Sequence, residues 1–271
     1  MWGISYWIFP VIAGSCWLSM LLGLLLHWIS SGRPHYVSMN SSQKIAYISD
    51  IGADSLKPLF IAGCAATTVF LNLSFFSERL LRHNGRLIRN TSTFQKILVW
   101  LSIIFSCMGS VGLIMLSIYD TISHPEIHDI FLALFISGYI ISAFMICCEY
   151  QRLSYQNHEY RMLGTSFWLK LAFTVIELFV AIAFAYVSRI KNYNEAAIIE
   201  WTLAFIFTLY VYSFFLDLFP AARRGSELPC GRGTPDEVVG IRIGNNPRAN
   251  ALKIRLQHNL ARDNQAETGL L

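Results

Sequence analysis

The sequence predicts an all-α fold, a polytopic membrane protein of six transmembrane helices with its N- and C-termini in the cytosol, and three observations predict it. Of 271 residues, 54% are hydrophobic and only 14% charged, with a mean hydropathy of +0.46, whereas soluble domains carry about a quarter charged residues. Six apolar stretches reach the length of about 20 residues that a helix needs to cross a hydrocarbon core. Lysine and arginine are distributed unevenly between the two ends of those stretches.

The stretches run over Trp7 to Ile29, Leu59 to Phe76, Ile97 to Tyr119, Ile130 to Cys148, Phe167 to Val187 and Trp201 to Phe219. None has the alternating pattern of a barrel strand, and lipid offers the backbone no hydrogen-bond partner, so each reads as a helix. The first is longer than a signal-peptide core of about 7 to 15 residues and no cationic segment precedes it, so it reads as a retained helix. The bundle extends to residue 220, and 221–271 form a basic, largely disordered cytosolic tail.

Orientation follows from charge. The connection after the second stretch carries Arg79, Arg82, Arg86, Arg89 and Lys96. Arg152, Arg161 and Lys170 follow the fourth, and Arg223 and Arg224 open the tail. One side thus holds 16 of the 21 basic residues and is taken as cytosolic. Arg79, Arg82, Arg86, Arg89, Arg223 and Arg224 are read as a basic surface toward anionic inner-leaflet lipid. In the tail, Leu252, Leu256 and Leu260 recur every fourth residue among Lys253, Arg255 and Arg262, the pattern of a short amphipathic helix over 250–262. A disordered tail is the competing reading, because so short a helix is marginal alone.

Six cysteines lie in helices, at a helix end or in the tail, so no extracellular disulfide framework is available. Cys147 and Cys148 stand at a membrane edge, where palmitoylation occurs and where small residues also simply pack. Three glycosylation sequons begin at Asn40, Asn72 and Asn90, and only Asn40 falls in a non-cytosolic loop.

The chemistry-bearing residues are sparse. His124 and His128 lie with Asp120, Glu126 and Asp129 in the second non-cytosolic loop, and imidazole with carboxylate suits zinc. Pro125 between the histidines argues against a helical metal-binding face, and a solvated turn is preferred. Glu177 lies near the middle of the fifth stretch, where a charge costs several kcal/mol unless paired or neutralised. Its readings are a relay or headgroup site, or a residue bonded to hydroxyls on other helices such as Ser15, Thr67, Ser106 or Ser142. Gly14, Gly63, Gly109, Gly112 and Gly138 read as sites of close helix approach. There is no Walker loop, dinucleotide-binding glycine pattern or nucleophile elbow. No catalytic residue, metal, cofactor or nucleic-acid partner is assigned.

The connection 30–57 is too long for a mere link. It contains Ile48-Ser49-Asp50-Ile51-Gly52, followed by Lys57-Pro58-Leu59-Phe60. Asp50 is expected to bond nearby backbone amides in an Asx turn, and Gly52 to supply a positive φ. With Ile8-Phe9-Pro10, Leu73-Ser74-Phe75, Glu78-Arg79 and Arg86-Leu87, this motif resembles the damage-regulated autophagy modulator family. That family also takes in Golgi proteins of the fibroblast-growth-factor-receptor-activating type and fungal suppressor-of-four-kinase proteins. Ile45 to Ala53 and Leu80 to Leu87 are most similar to the fungal branch. The resemblance implies six helices and a non-enzymatic plasma-membrane adaptor that supports a phosphatidylinositol 4-kinase, its membrane scaffold and phosphoinositide supply. Two alternatives stay open, a lipid-remodelling enzyme or subunit of the GPI-anchor type, including a metal-dependent lipid hydrolase, and a lipid- or sterol-handling protein without chemistry. The Golgi or ER, or the vacuole or lysosome, are the alternative locations.

Overall fold

In a computed structural model, residues 6–83, 93–156 and 161–218 are described. They form seven helices: α1 (Ile8–Ser30), α2 (Ile48–Gly52), α3 (Lys57–His83), α4 (Thr93–Ile118), α5 (Pro125–Gln156), α6 (Arg161–Arg189) and α7 (Tyr193–Ser213). All except the five-residue α2 are long and apolar enough to cross a membrane. Each of these six packs on the next in the chain, and α7 closes the ring against α1. The connections α1–α3, α4–α5 and α6–α7 share one end of the bundle, the cap face; the C-terminal ends of α3, α5 and α7 lie at the other, the basic face.

Local chemistry accounts for the helix ends. α1 stops at Gly32, with φ 81°, and Arg33, with φ 57°, where Arg33 N–H turns back to Trp28 O at 3.0 Å. Such left-handed exits satisfy the last free carbonyls of a helix. α6 stops the same way at Lys191, φ 60°, with Asn192 N–H donating to Val187 O at 3.2 Å. Pro58 and Pro125 stand in the first turns of α3 and α5, where a helix has N–H groups to spare.

Small residues bring α4 and α5 into the most intimate pairing of the ring. A Cβ placed on Gly112 would lie 2.5 Å from the Phe135 backbone nitrogen, and one on Gly138 would lie 2.6 Å from Gly109 N. With no water to drive helix association in lipid, close backbone approach of this kind carries much of the packing. Trp17, Phe135, Tyr139 and Phe207 fill the centre, with ring centroids 5.3 to 5.9 Å apart for Trp17–Phe207, Phe135–Tyr139, Tyr139–Phe207 and Phe135–Phe207.

Three expectations need correction. Helices α3 and α5 run well beyond their apolar stretches, because their outer turns bury the paired charges of Glu78, Arg79, Arg82 and Glu149 in place of hydrocarbon. Gly52 is not in the left-handed region; it closes a helical turn, and a Cβ there would lie 2.6 Å from Phe60 Cδ1. Close side-chain approach, not backbone conformation, is what calls for glycine. The segment around His124 and Pro125 is not simply a solvated turn, since Pro125 opens α5 and His128 is buried in its first turn. The amphipathic segment with Leu252, Leu256 and Leu260, and Arg86, Arg89, Arg223 and Arg224, lie outside the described residues.

Candidate functional site

Two polar constructions flank the apolar centre. At the cap face, Asp50 is 2% exposed and receives three donors. Ser38 Oγ donates to its Oδ1 at 2.5 Å, while Gln43 Nε2 at 3.0 Å and Tyr47 N–H at 2.9 Å donate to Oδ2. Hydrogen bonds to a charged group are each worth about 1.5–3 kcal/mol. Asp50 therefore bonds backbone as expected, but in the first turn of α2. Gln43 is itself held by Asn40 N–H on its Oε1 and donates to Ile45 O.

Helix α7 stitches this loop to the bundle. Asn194 Oδ1 accepts from Lys44 N–H at 2.7 Å and Ile45 N–H at 3.1 Å. Trp201 Nε1 donates to Ala46 O at 3.0 Å, and Glu200 Oε2 accepts from Ile48 N–H at 2.9 Å. The far side is clamped by Lys57 Nζ on Asp120 Oδ2 at 2.5 Å. The bond from Lys57, with the Ser123 N–H on its Oδ1, holds the Asp120 carboxyl at about 2, below its ordinary 3.8. Lys57 of the motif thus joins α3 to the α4–α5 turn.

His128 Nδ1 lies 2.9 Å from Leu116 O and 2.8 Å from Tyr119 O. Carbonyls only accept, so Nδ1 carries the proton and satisfies the end of α4. His124 does not join it. Among the described residues, no three His, Cys, Asp or Glu side chains gather as metal ligands would.

Beneath the cap lies a cavity of about 70 Å³ between α1, α3, α4, α5, α6 and α7, with Ile48 and Ser49 of α2 in its wall. Its lining is apolar except for Ser49, His128, Tyr139, Glu177 and Glu200. Glu177 is 4% exposed, and its Oε1 has no hydrogen-bond partner among the described residues. None of the hydroxyls expected to hold it does so: Ser106 and Ser142 bond Asn72 Oδ1 and Ser102 O, and Ser15 meets Tyr212 Oη. Thr67 Oγ1 is itself without a partner among the described residues.

The second construction lies toward the basic face. Glu78 Oε1 accepts from Arg82 Nη2 at 2.7 Å and from the Tyr150 hydroxyl at 2.6 Å. Arg79 Nη1 donates to Glu149 Oε1 at 2.6 Å, and the Arg82 guanidinium lies 5.2 Å from the Tyr150 ring centre. These contacts lock α3 to α5. Lys170 Nζ, fully buried, pairs with Asp217 Oδ2 at 2.6 Å and lies 4.1 Å from the Phe214 ring centre, joining α6 to the chain beyond α7. Ser166 Oγ also donates to Asp217. Three carboxylates thus face three cations in a buried site.

Arg79 and Arg82 were expected on a basic surface; both are turned inward, because the carboxylates of Glu78 and Glu149 are buried there and require a counter-charge. Cys147 follows the packing reading, one of its two, since it is 3% exposed with its Sγ 3.6 Å from Thr174 Oγ1. Cys148 is half-buried and Asn40 is exposed. Sequence reasoning missed Glu149, Tyr150 and the Lys170–Asp217 pair. Glu78 and Arg82 stand four apart, a readable helical pair, and one lone lysine and one lone aspartate in adjacent helices are a readable signal for the other.

The Frag1/DRAM/Sfk1/Cwh43P N-terminal domain matches residues 5–221. The protein sfk1 of Schizosaccharomyces pombe is 30% identical over 221 residues, 81% of this chain and 66% of that protein. SFK1 of Saccharomyces cerevisiae is 28% identical over 174 residues, 53% of this chain and 49% of that protein. The chain spans less than two thirds of the length of either relative. No solved structure matches it. Both polar constructions, the cap motif and the Glu78–Arg79 pair, fall within the matched region, and the chain belongs to the Frag1/DRAM/Sfk1/Cwh43P family, on its fungal Sfk1 branch.

Proposed function

We propose that this chain is a non-enzymatic plasma-membrane adaptor that supports a phosphatidylinositol 4-kinase complex, with its basic face in the cytosol. The observation that carries this reading is the braced stem formed by Glu78, Arg79, Arg82, Glu149 and Tyr150. It fixes α3 against α5 where the connection bearing Arg86 and Arg89 leaves the bundle. An arginine at the inner membrane surface gains about 1 kcal/mol against anionic lipid. Kinship with fungal Sfk1 proteins supports the link to phosphoinositide supply.

The test is co-purification from native membranes with full-length chain, scored for a phosphatidylinositol 4-kinase. Reversal of Arg86, Arg89, Arg223 and Arg224 to glutamate is expected to abolish kinase recovery. Kinase recovery unchanged by the reversal, or lost only when the cap residues Asp50 and Gly52 are replaced, would defeat the adaptor reading.

A further inference from the structure

The cavity beneath α2 is not used by an adaptor acting through the basic face, yet it is built as a binding site. Trp17, Leu132, Phe135, Leu203 and Phe207 give it an apolar wall. Its polar groups lie at two depths. Glu200 is roughly 10 Å along α7 from Tyr193, and Glu177 is roughly 18 Å along α6 from Arg189, at 1.5 Å rise per residue. Glu200 Oε2 and His128 Nδ1 are engaged by the protein, whereas Glu177 Oε1 is not.

A buried acceptor left without a donor costs about 1–3 kcal/mol, and in hydrocarbon no solvent relieves it. The cavity wall offers no lysine or arginine to Glu177. What the site lacks is therefore a donor on an apolar body. From this we infer that the cavity takes the head of a membrane amphiphile, a hydroxyl or a primary ammonium that donates to Glu177, while its chain extends out past Ile136, Ile140, Phe184 and Leu203. Ile136, Ile140, Phe184 and Leu203 of its lining are only half-buried, so part of each side chain is left uncovered by the protein. The Ile48-Ser49 segment roofs it, so the signature motif positions the lid of the site.

The experiment uses the full chain in phosphatidylcholine nanodiscs with three photoreactive sixteen-carbon probes that differ only in the head: hydroxyl, ammonium, or methyl ether, which accepts but does not donate. The hydroxyl probe, the ammonium probe or both should label peptides of α5, α6 and α7 up to about tenfold more than the ether, the worth of one hydrogen bond. Which of the two is captured identifies the head. Leu203→Trp, which fills the cavity, should reduce labelling by about the same factor. Glu177→Gln, which keeps the shape and one acceptor, should erase any ammonium preference while sparing the hydroxyl probe. Equal labelling by all three heads, no labelling by any, or labelling unchanged in Leu203→Trp would overturn the inference.

Discussion

The Tyr150 hydroxyl donates to Glu78 Oε1 at 2.6 Å while the Arg82 guanidinium lies 5.2 Å from the centre of the Tyr150 ring, so one side chain serves both members of a buried ion pair. Its removal tests the brace. Tyr150→Phe keeps the ring and loses the donor, and should cost about 1.5–3 kcal/mol. Arg82→Met leaves the Glu78 carboxylate without its pair and should cost about 3–5 kcal/mol, whereas Glu78→Leu combined with Arg82→Met should recover much of that loss. Reversible unfolding in mixed micelles measures all three. A double variant as unstable as Arg82→Met alone would show that the pair is not a unit.

The Gly52–Phe60 contact makes a prediction that separates it from a backbone requirement. Gly52→Ala should destabilise the cap, since its Cβ would lie 2.6 Å from Phe60 Cδ1, and Phe60→Ala should relieve Gly52→Ala by opening that space. Heat stability of the purified chain checks both. Failure of the second change to relieve the first would return the argument to the backbone.

The contrast shows what the sequence made legible. Hydropathy reveals six spans because a bilayer demands about 20 apolar residues of each. It does not reveal where the helices end, since the turns holding Glu78, Arg82, Glu149 and Tyr150 are polar and owe their burial to one another. Asp50-Ile51-Gly52 has turn composition, and nothing local tells that Phe60, eight residues on, occupies the space beside Gly52. Glu177 stood out as an intramembrane carboxyl, but its neighbours could not be read, because the cavity is assembled from helices far apart in the chain. The Lys44–Asn194 and Ala46–Trp201 bonds are equally non-local.

The Lys57–Asp120 clamp gives the cap a pH dependence. The folded Asp120 carboxyl titrates at about 2 against an ordinary 3.8. A depressed pKa contributes stability present above the ordinary value and lost as pH falls through the folded one. Wild type should therefore lose stability between about pH 4 and pH 2 more steeply than Asp120→Asn, seen in melting temperature across that range. Parallel curves would remove the clamp from the account.

Lys191 turns the chain between α6 and α7 with φ 60°, a conformation that costs a side-chain-bearing residue about 1 kcal/mol or more. Lys191→Gly should raise stability slightly and Lys191→Val should lower it, by melting temperature. The reverse order would deny the left-handed exit.

Orientation is tested by the sequons. Asn40 is exposed at the cap face, while Asn90 belongs to the basic connection. With the basic face cytosolic, a glycosidase-sensitive mobility shift should vanish in Asn40→Gln and persist in Asn90→Gln. A glycan on Asn90 would invert the bundle.

The adaptor reading meets its most direct test in the plasma-membrane level of phosphatidylinositol 4-phosphate, measured in cells whose own copy is replaced by the chain or by a variant with Arg86, Arg89, Arg223 and Arg224 changed to glutamate. The unchanged chain is expected to sustain the level, and the variant, equally abundant at the same membrane, is expected not to. A variant that sustains it as well as the unchanged chain would contradict a cytosolic basic face as the working surface of this protein.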